Sequence, residues 1–225
     1  MRIDILSPLP SLLKAPFSTS ILAKAIKKKV VEIHVHDLRD YGIGKNKQID
    51  DYGYGGGGGM VLMIEPIANC IEKLKNQRHY ETIVFMTPDG EQLTQKKANQ
   101  ISQKKNIIIV CGRYDGIDQR IRDIYVDQEI SIGDYVLTGG ELPAIVLCDS
   151  IIRLLPGSMS NSSCALSDSF QDDLLSPPIY TRPSNFKGHT VPEVLLSGNE
   201  QKIIDWRENQ SYKKTQEKRP DLLDN

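Results

Sequence analysis

Apolar and polar positions along this chain switch repeatedly between period two and helical spacing. Residues 2–6 (RIDIL) alternate and predict an opening strand. Ile21, Leu22, Ala25 and Ile26 then share one helical face behind Ser18, Thr19 or Ser20 as a cap. Lys27, Lys28 and Lys29 follow where positive charge suits a helix C-terminus, and are read as that rather than as an RNA contact. Residues 30–36 (VVEIHVH) alternate again, with Ile33 and Val35 on one side and His34 and His36 on the other. The two histidines are read as a solvated strand face rather than a metal pair. A helix is predicted from Glu65-Pro66, its core stripe being Ile67, Cys70, Ile71 and Leu74. Strand 82–86, helix 93–101 and strand 106–111 (NIIIVC, apolar on both faces) come next. Ile117, Ile121 and Ile124 mark a further helix face, 130–132 an extended segment, and 143–155 an apolar helix. Asp149 and Arg153, four apart in that helix, read as an ion pair. Apolar strands alternating with amphipathic helices predict a mainly parallel α/β sheet.

Glycine-rich punctuation falls after the strands. Three loops, 87–90 (TPDG), 112–116 (GRYDG) and the stretch within 128–143 (QEISIGDYVLTGGELP), follow strand-like runs. In parallel sheets ligands bind at the carboxyl ends of strands. The polar segment 39–60 carries consecutive glycines 55–59 and is long enough to predict a functional loop. No Gly-Lys-Ser/Thr follows, so it is not a phosphate-binding P-loop. Residues 158–169 (SMSNSSCALSDS) read as a linker; beyond it PPIYTRP is extended, 200–210 is helical and Lys213, Lys214, Lys218 and Arg219 make a basic tail. The predicted organisation is 1–160 as an α/β domain, 161–172 as a flexible linker and 173–225 as a small helical domain.

Composition narrows the class little further. The 225 residues are 39% hydrophobic and 25% charged with net charge −1, ordinary for a globular protein and unlike a strongly basic nucleic-acid binder. No apolar run reaches the roughly 20 residues of a membrane span, and residues 1–14 have no long apolar signal core, so a cytoplasmic protein is expected. The four cysteines, scattered without a CxxC pair, predict free thiols, and the four histidines are too dispersed for a metal centre.

The motifs DDYGYGGGGGMVLM, VCGRYDGID, SIGDYVLTGGELPA, DSF, YTRP and VPEVLLSGN, in this order, resemble the bacterial tRNA (guanine-N1)-methyltransferase family of the SPOUT superfamily. The resemblance runs from Met1 to beyond Arg219. It implies a SPOUT-type parallel sheet tied in a deep trefoil knot, a helical C-terminal domain that binds tRNA, and a homodimer with active sites at its interface. Periodicity alone predicts an ordinary doubly wound sheet, since knots are rare. The implied activity is methyl transfer from S-adenosyl-L-methionine to N1 of guanosine 37 in tRNA, next to the anticodon, supporting reading-frame maintenance. The resemblance assigns the cofactor to Phe85, Met86, Thr87, Pro88, Gly112, Tyr114, Asp115, Ser131, Ile132, Gly133, Tyr135, Leu137, Gly139, Gly140 and Pro143. It assigns tRNA to Asp50, Gly57, Gly58, Gly59, Asp115 and Arg182. Asp168 matches the general base and Arg153 the residue that offsets charge developing on O6. Asp115 stands where the family commonly has glutamate, Gly58 and Gly53 where proline or alanine and proline occur, and Thr87 where serine is common. No metal ligands are implied, and a Mg²⁺ requirement is not readable from the sequence. DNA and membranes are not expected partners.

Three other readings bear comparison. A SPOUT enzyme for another RNA position is disfavoured by DSF after the linker. An RNA-binding module without catalysis is disfavoured by Arg153 and Asp168 together. A nucleotide-dependent oxidoreductase lacks a GxGxxG after the first strand.

Overall fold

The computed structural model describes residues 1–56, 58–159 and 168–224. They fall into two compact units divided between Ser162 and Ser163. In the first unit the strands are β1 (Arg2–Ser7), β2 (Glu32–Asp37), β3 (Asp50–Tyr52), β4 (Met60–Leu62), β5 (Thr82–Gln92), β6 (Asn106–Cys111) and β7 (Gln128–Ser131). Five of them make a parallel sheet in the order β2-β1-β6-β5-β7, while β3 and β4 pair antiparallel outside it. The run NIIIVC sits mid-sheet because it is apolar on both faces: Ile107, Ile109 and Cys111 face one buried cluster, and Ile108 and Val110 the other. Its helices are α1 (Ser11–Phe17), α2 (Ser20–Lys27), α3 (Ile64–Gln77), α4 (Gln95–Ser102), α5 (Gln119–Tyr125) and α6 (Glu141–Ile152). Leu13, Leu22, Ala98, Ile101, Leu147 and Ile151, from α1, α2, α4 and α6, join the first cluster. Ile67, Ile71, Leu74 and Ile121, from α3 and α5, join the second.

The pattern departs from expectation in four places. Helix α1, which contains Pro16, lies in a segment that periodicity left unassigned. The stretch 87–90 does not end its strand: β5 shifts register between Met86 and Glu91 and resumes its pairing with Ile130 and Ser131 of β7. Ile124 is 65% exposed, because α5 begins only at Gln119 and turns Ile121 alone inward. His36 is not on a solvated face. Its Nε2 lies 2.8 Å from Asp4, which is fully buried and also accepts from Arg2 at 2.7 and 2.9 Å and Tyr80 at 2.8 Å. Burial opposes ionisation of Asp4, but the bonds from His36, Arg2 and Tyr80 outweigh it and hold the carboxyl well below the usual carboxylate range.

The second unit is built on α8 (Glu200–Lys218), preceded by the hairpin β8 (Asn185–Phe186) and β9 (His189–Thr190) and the short helix α7 (Glu193–Leu196). Helix α8 runs on through Lys213, Lys214 and Lys218, so the basic tail is helical. Thr215 is buried on it, its hydroxyl accepting from the Leu175 N–H at 2.8 Å, and Lys214 donates to the Ser176 carbonyl at 2.7 Å. These bonds, with the Tyr180 and Trp206 rings 6.4 Å apart, fasten the extended PPIYTRP segment to the helix. Most of the expected linker, residues 160–167 including Cys164, lies outside the described residues.

Candidate active site

Strands β5, β6 and β7 are parallel and adjacent, so the residues following them emerge at one end of the sheet. There they surround a cavity of about 590 Å³. All fifteen residues assigned above to the cofactor line it, from Phe85 in β5 to Pro143 in α6. The second and third loops are joined by backbone: the Gly140 N–H donates to the Gly112 carbonyl at 2.8 Å, and Arg113 and Gly139 form an antiparallel bridge. Glycine is obligatory at 140 for space. A Cβ there would stand 2.8 Å from the Cys111 Cα and 2.9 Å from the Gly112 nitrogen.

A charge clamp shapes the first loop. Arg122 of α5 donates to Asp89 at 2.7 Å and to Glu129 of β7 at 2.5 and 2.7 Å, and its guanidinium lies 5.5 Å from the Phe85 ring centre. The Thr87 hydroxyl and then Arg122 hold the Asp89 carboxyl below its usual range. Asp115 joins the glycine loop to the same cavity. Its N–H donates to the Met60 carbonyl at 3.0 Å, and its carboxylate fills the space where a side chain at Gly59 would go. Asp50 pairs with Leu62 across β3 and β4; Gly57 lies outside the described residues.

Among the described residues no cysteine lines the cavity. Burial pushes the Cys111 and Cys148 thiols well above neutrality and Cys70 up to about 11. Among the described residues no group of three or more His, Cys, Asp or Glu side chains could hold a metal ion, and no helix is long and apolar enough to cross a membrane.

A family model described as tRNA (Guanine-1)-methyltransferase TrmD matches residues 1–225. The chain belongs to this family. Among its relatives, a protein named tRNA (guanine-N(1)-)-methyltransferase from Christiangramia forsetii is 61% identical over 224 residues, covering 100% of this chain and 99% of the relative. A Flavobacterium johnsoniae protein of the same name is 58% identical over the same shares, and one from Bacteroides fragilis is 54% identical over 100% of both chains.

The other residues expected from the sequence to form the site fall elsewhere. Arg153 is half-buried at the C-terminal end of α6 and does not line the cavity. Asp168 and Arg182 both line a cavity of about 750 Å³ within the second unit, together with Tyr180 and Arg207. Sequence reasoning assigned no part to Asp89, Arg122 or Arg207, and Arg113 and Glu141 fell inside the loop stretches 112–116 and 128–143 without a role of their own. Asp89 stands in a loop already marked by glycine. Arg122 and Arg207 carry no local signal, because a charged residue on a helix reads as a solvated face. Glu141 reads as an ordinary first-turn acid, yet it is 1% exposed.

Proposed function

We propose that this protein transfers a methyl group from S-adenosyl-L-methionine to N1 of guanosine 37 in tRNA, beside the anticodon. The observation that carries the proposal is the meeting of three backbone loops in one cavity, in a chain matched by a tRNA (Guanine-1)-methyltransferase family over its full length. The cavity suits a donor without phosphates. Its wall joins apolar side chains (Phe85, Ile130, Pro143) to glycine backbone, and of its two arginines Arg122 is engaged by two carboxylates while Arg113 faces the Glu141 carboxylate. When bound, S-adenosyl-L-methionine supplies an electrophilic methyl group.

Guanine N1 carries a proton and is a poor nucleophile, so the chain must supply a base. Asp168 takes that role: the N1–H bond breaks, the proton passes to its carboxylate, and the N1 electron pair forms the new N–C bond while the S–C pair stays on sulfur. Arg153 offsets the charge that develops on O6. Asp50, Gly58 and Gly59 contact the tRNA beside Asp115, and Arg182 contacts it from the second unit. Support for Asp168 and Arg182 acting on one substrate comes from the cavity they share.

The finer fold features of the resemblance belong to the same reading. The contacts of 139–140 with 112–113 support a knotted cofactor site. The exposed Tyr135, Val136, Leu137, Leu142 and Val146 on the loop before α6 and on α6 itself support a second copy as the partner of that face. The working compartment is the cytoplasm, where tRNA is modified.

The test is single-turnover methyl transfer to tRNA, mapped by primer extension, which stops where N1 is blocked. Asp168→Asn keeps the shape and loses the base, so the rate should fall by roughly 10²–10⁴-fold. Donor and tRNA affinities should change far less. Transfer at near the parent rate would move the role to another group, Asp50 and Asp115 first.

A further inference from the structure

A buried carboxylate meets a cavity-wall arginine at the base of the donor cavity. Glu141 opens α6 next to Gly139 and Gly140. One carboxylate oxygen, Oε1, accepts from the Ser7 hydroxyl of β1 at 2.8 Å, and that hydroxyl in turn accepts from the Leu9 N–H at 2.9 Å. The other oxygen, Oε2, faces Arg113 Nη1 across 3.8 Å, and both atoms are buried with no hydrogen-bond partner. Arg113 itself lines the cavity and keeps its side chain 27% exposed. A Cβ on Gly139 would stand 2.6 Å from Oε2 and 3.3 Å from Nη1, so the bare backbone at 139 keeps the space between the two charges open.

The bland account of an acid in a first helical turn is complementarity to the helix dipole, which an exposed side chain provides. It does not account for a carboxylate stripped of water, since burial of an incompletely bonded charge is costly. Nor does it account for an arginine drawn to the same point from a different loop. Arg122, the other wall cation, is saturated by Asp89 and Glu129, whereas Arg113 meets one carboxylate at more than hydrogen-bonding distance.

Resting on the reading of this cavity as the donor site, we infer that Glu141 is a positioning residue for donor binding. Anchored on β1 through Ser7, it fixes the Arg113 guanidinium and so sets the loop 112–116 against 139–140. Closing the gap of 3.8 Å to a direct bond is the tightening that an occupied cavity favours, which makes the pair stronger with donor bound than without. A merely structural ion pair stabilises both states equally and leaves donor affinity unchanged.

The experiment is calorimetric titration of S-adenosyl-L-methionine, with tRNA affinity measured alongside, on the parent chain, Glu141→Gln, Arg113→Met and the double variant. Glu141→Gln is isosteric and can still accept from Ser7. Its donor affinity should fall by roughly 10- to 100-fold, the weight of a hydrogen bond between charged groups, with tRNA affinity within about twofold. Arg113→Met should fall by a similar factor, and the double variant no further than the worse single, because the two act as a unit. Arg113→Lys, which keeps the charge, should recover part of the loss. Parent-like donor affinity in a folded Glu141→Gln, or multiplicative losses in the double variant, overturns the inference. If Glu141→Gln fails to fold, Ser7→Ala decides: it frees the carboxylate from β1 and should weaken donor binding several-fold, and parent-like affinity there overturns the inference. Absence of donor binding by the parent chain removes the reading of the cavity itself, and the role of Glu141 with it.

Discussion

Gly140→Ala measures how tightly the third loop is seated. Gly140 has φ −80° and ψ −4°, so alanine meets no backbone objection, and taken alone the change stabilises by roughly 0.4–1 kcal/mol through the unfolded chain. Against this, its Cβ would stand 2.8 Å from the Cys111 Cα, where about 3.5 Å is needed, and it faces backbone that cannot rotate away. Moving the segments apart by roughly 0.7 Å stretches the 2.8 Å bond from the Gly140 N–H to the Gly112 carbonyl past usefulness. A lost bond of about 1 kcal/mol and overpacking of about 1–3 kcal/mol leave a net loss of roughly 1–3.5 kcal/mol. For a chain of this size that lowers Tm by roughly 2–14 °C, read by thermal unfolding. Because the displaced backbone is cavity wall, calorimetric donor affinity should fall more than tenfold, a ~1.4 kcal/mol effect. A larger Gly140→Val side chain would strike β6 before any ligand, so loss of fold, not loss of binding alone, is its expected outcome. Gly58→Ala is the control, since nothing lies within 4 Å of its Cβ, and its stability should stay within about 0.5 kcal/mol of the parent. The reasoning is refuted if Gly140→Ala matches the parent in both Tm and donor affinity, or if Gly58→Ala loses as much.

Asp4→Asn should cost roughly 2–4 kcal/mol in urea unfolding at neutral pH, by breaking a buried charge network. Its folded carboxyl titrates below the ordinary value of 3.8, so its contribution is present above that pH and lost as pH falls beneath it. The Asn variant should therefore lose stability less steeply than the parent below about pH 4. Tyr80 works in the opposite sense: burial and then Asp4 push it up to about 12, so its share is present below pH 10 and is lost as pH rises through 12. Arg122→Ala should raise the KM for the donor about tenfold, by releasing Asp89 and Glu129 around the first loop, with kcat falling less. Light scattering should give twice the chain mass of 25.2 kDa, and a fully active monomer would exclude an interface-built site.

Periodicity carried by neighbouring residues made much of the first unit legible. NIIIVC had to be a strand buried on both faces, and Ile67, Cys70, Ile71 and Leu74 had to be one side of a helix, because apolar spacing is itself the record of which face meets the core. The glycine loops and motif order likewise named the residues that gather around the cavity, since those loops follow strands that lie side by side. Three matters depended on tertiary structure. The segment 87–90 is an excursion within β5 because Ile130 and Ser131 of β7 accept pairing from Glu91 and Gln92 beyond it. His36 turns partly inward because Asp4, thirty-two residues earlier, is buried beside it. Glu141 becomes a buried anchor because Ser7 reaches it from 134 positions away while Arg113 approaches from another loop. A carboxylate has the same local signature whether it faces water or a guanidinium. Whether it ends buried is decided by contacts between distant segments, which no spacing along the chain encodes.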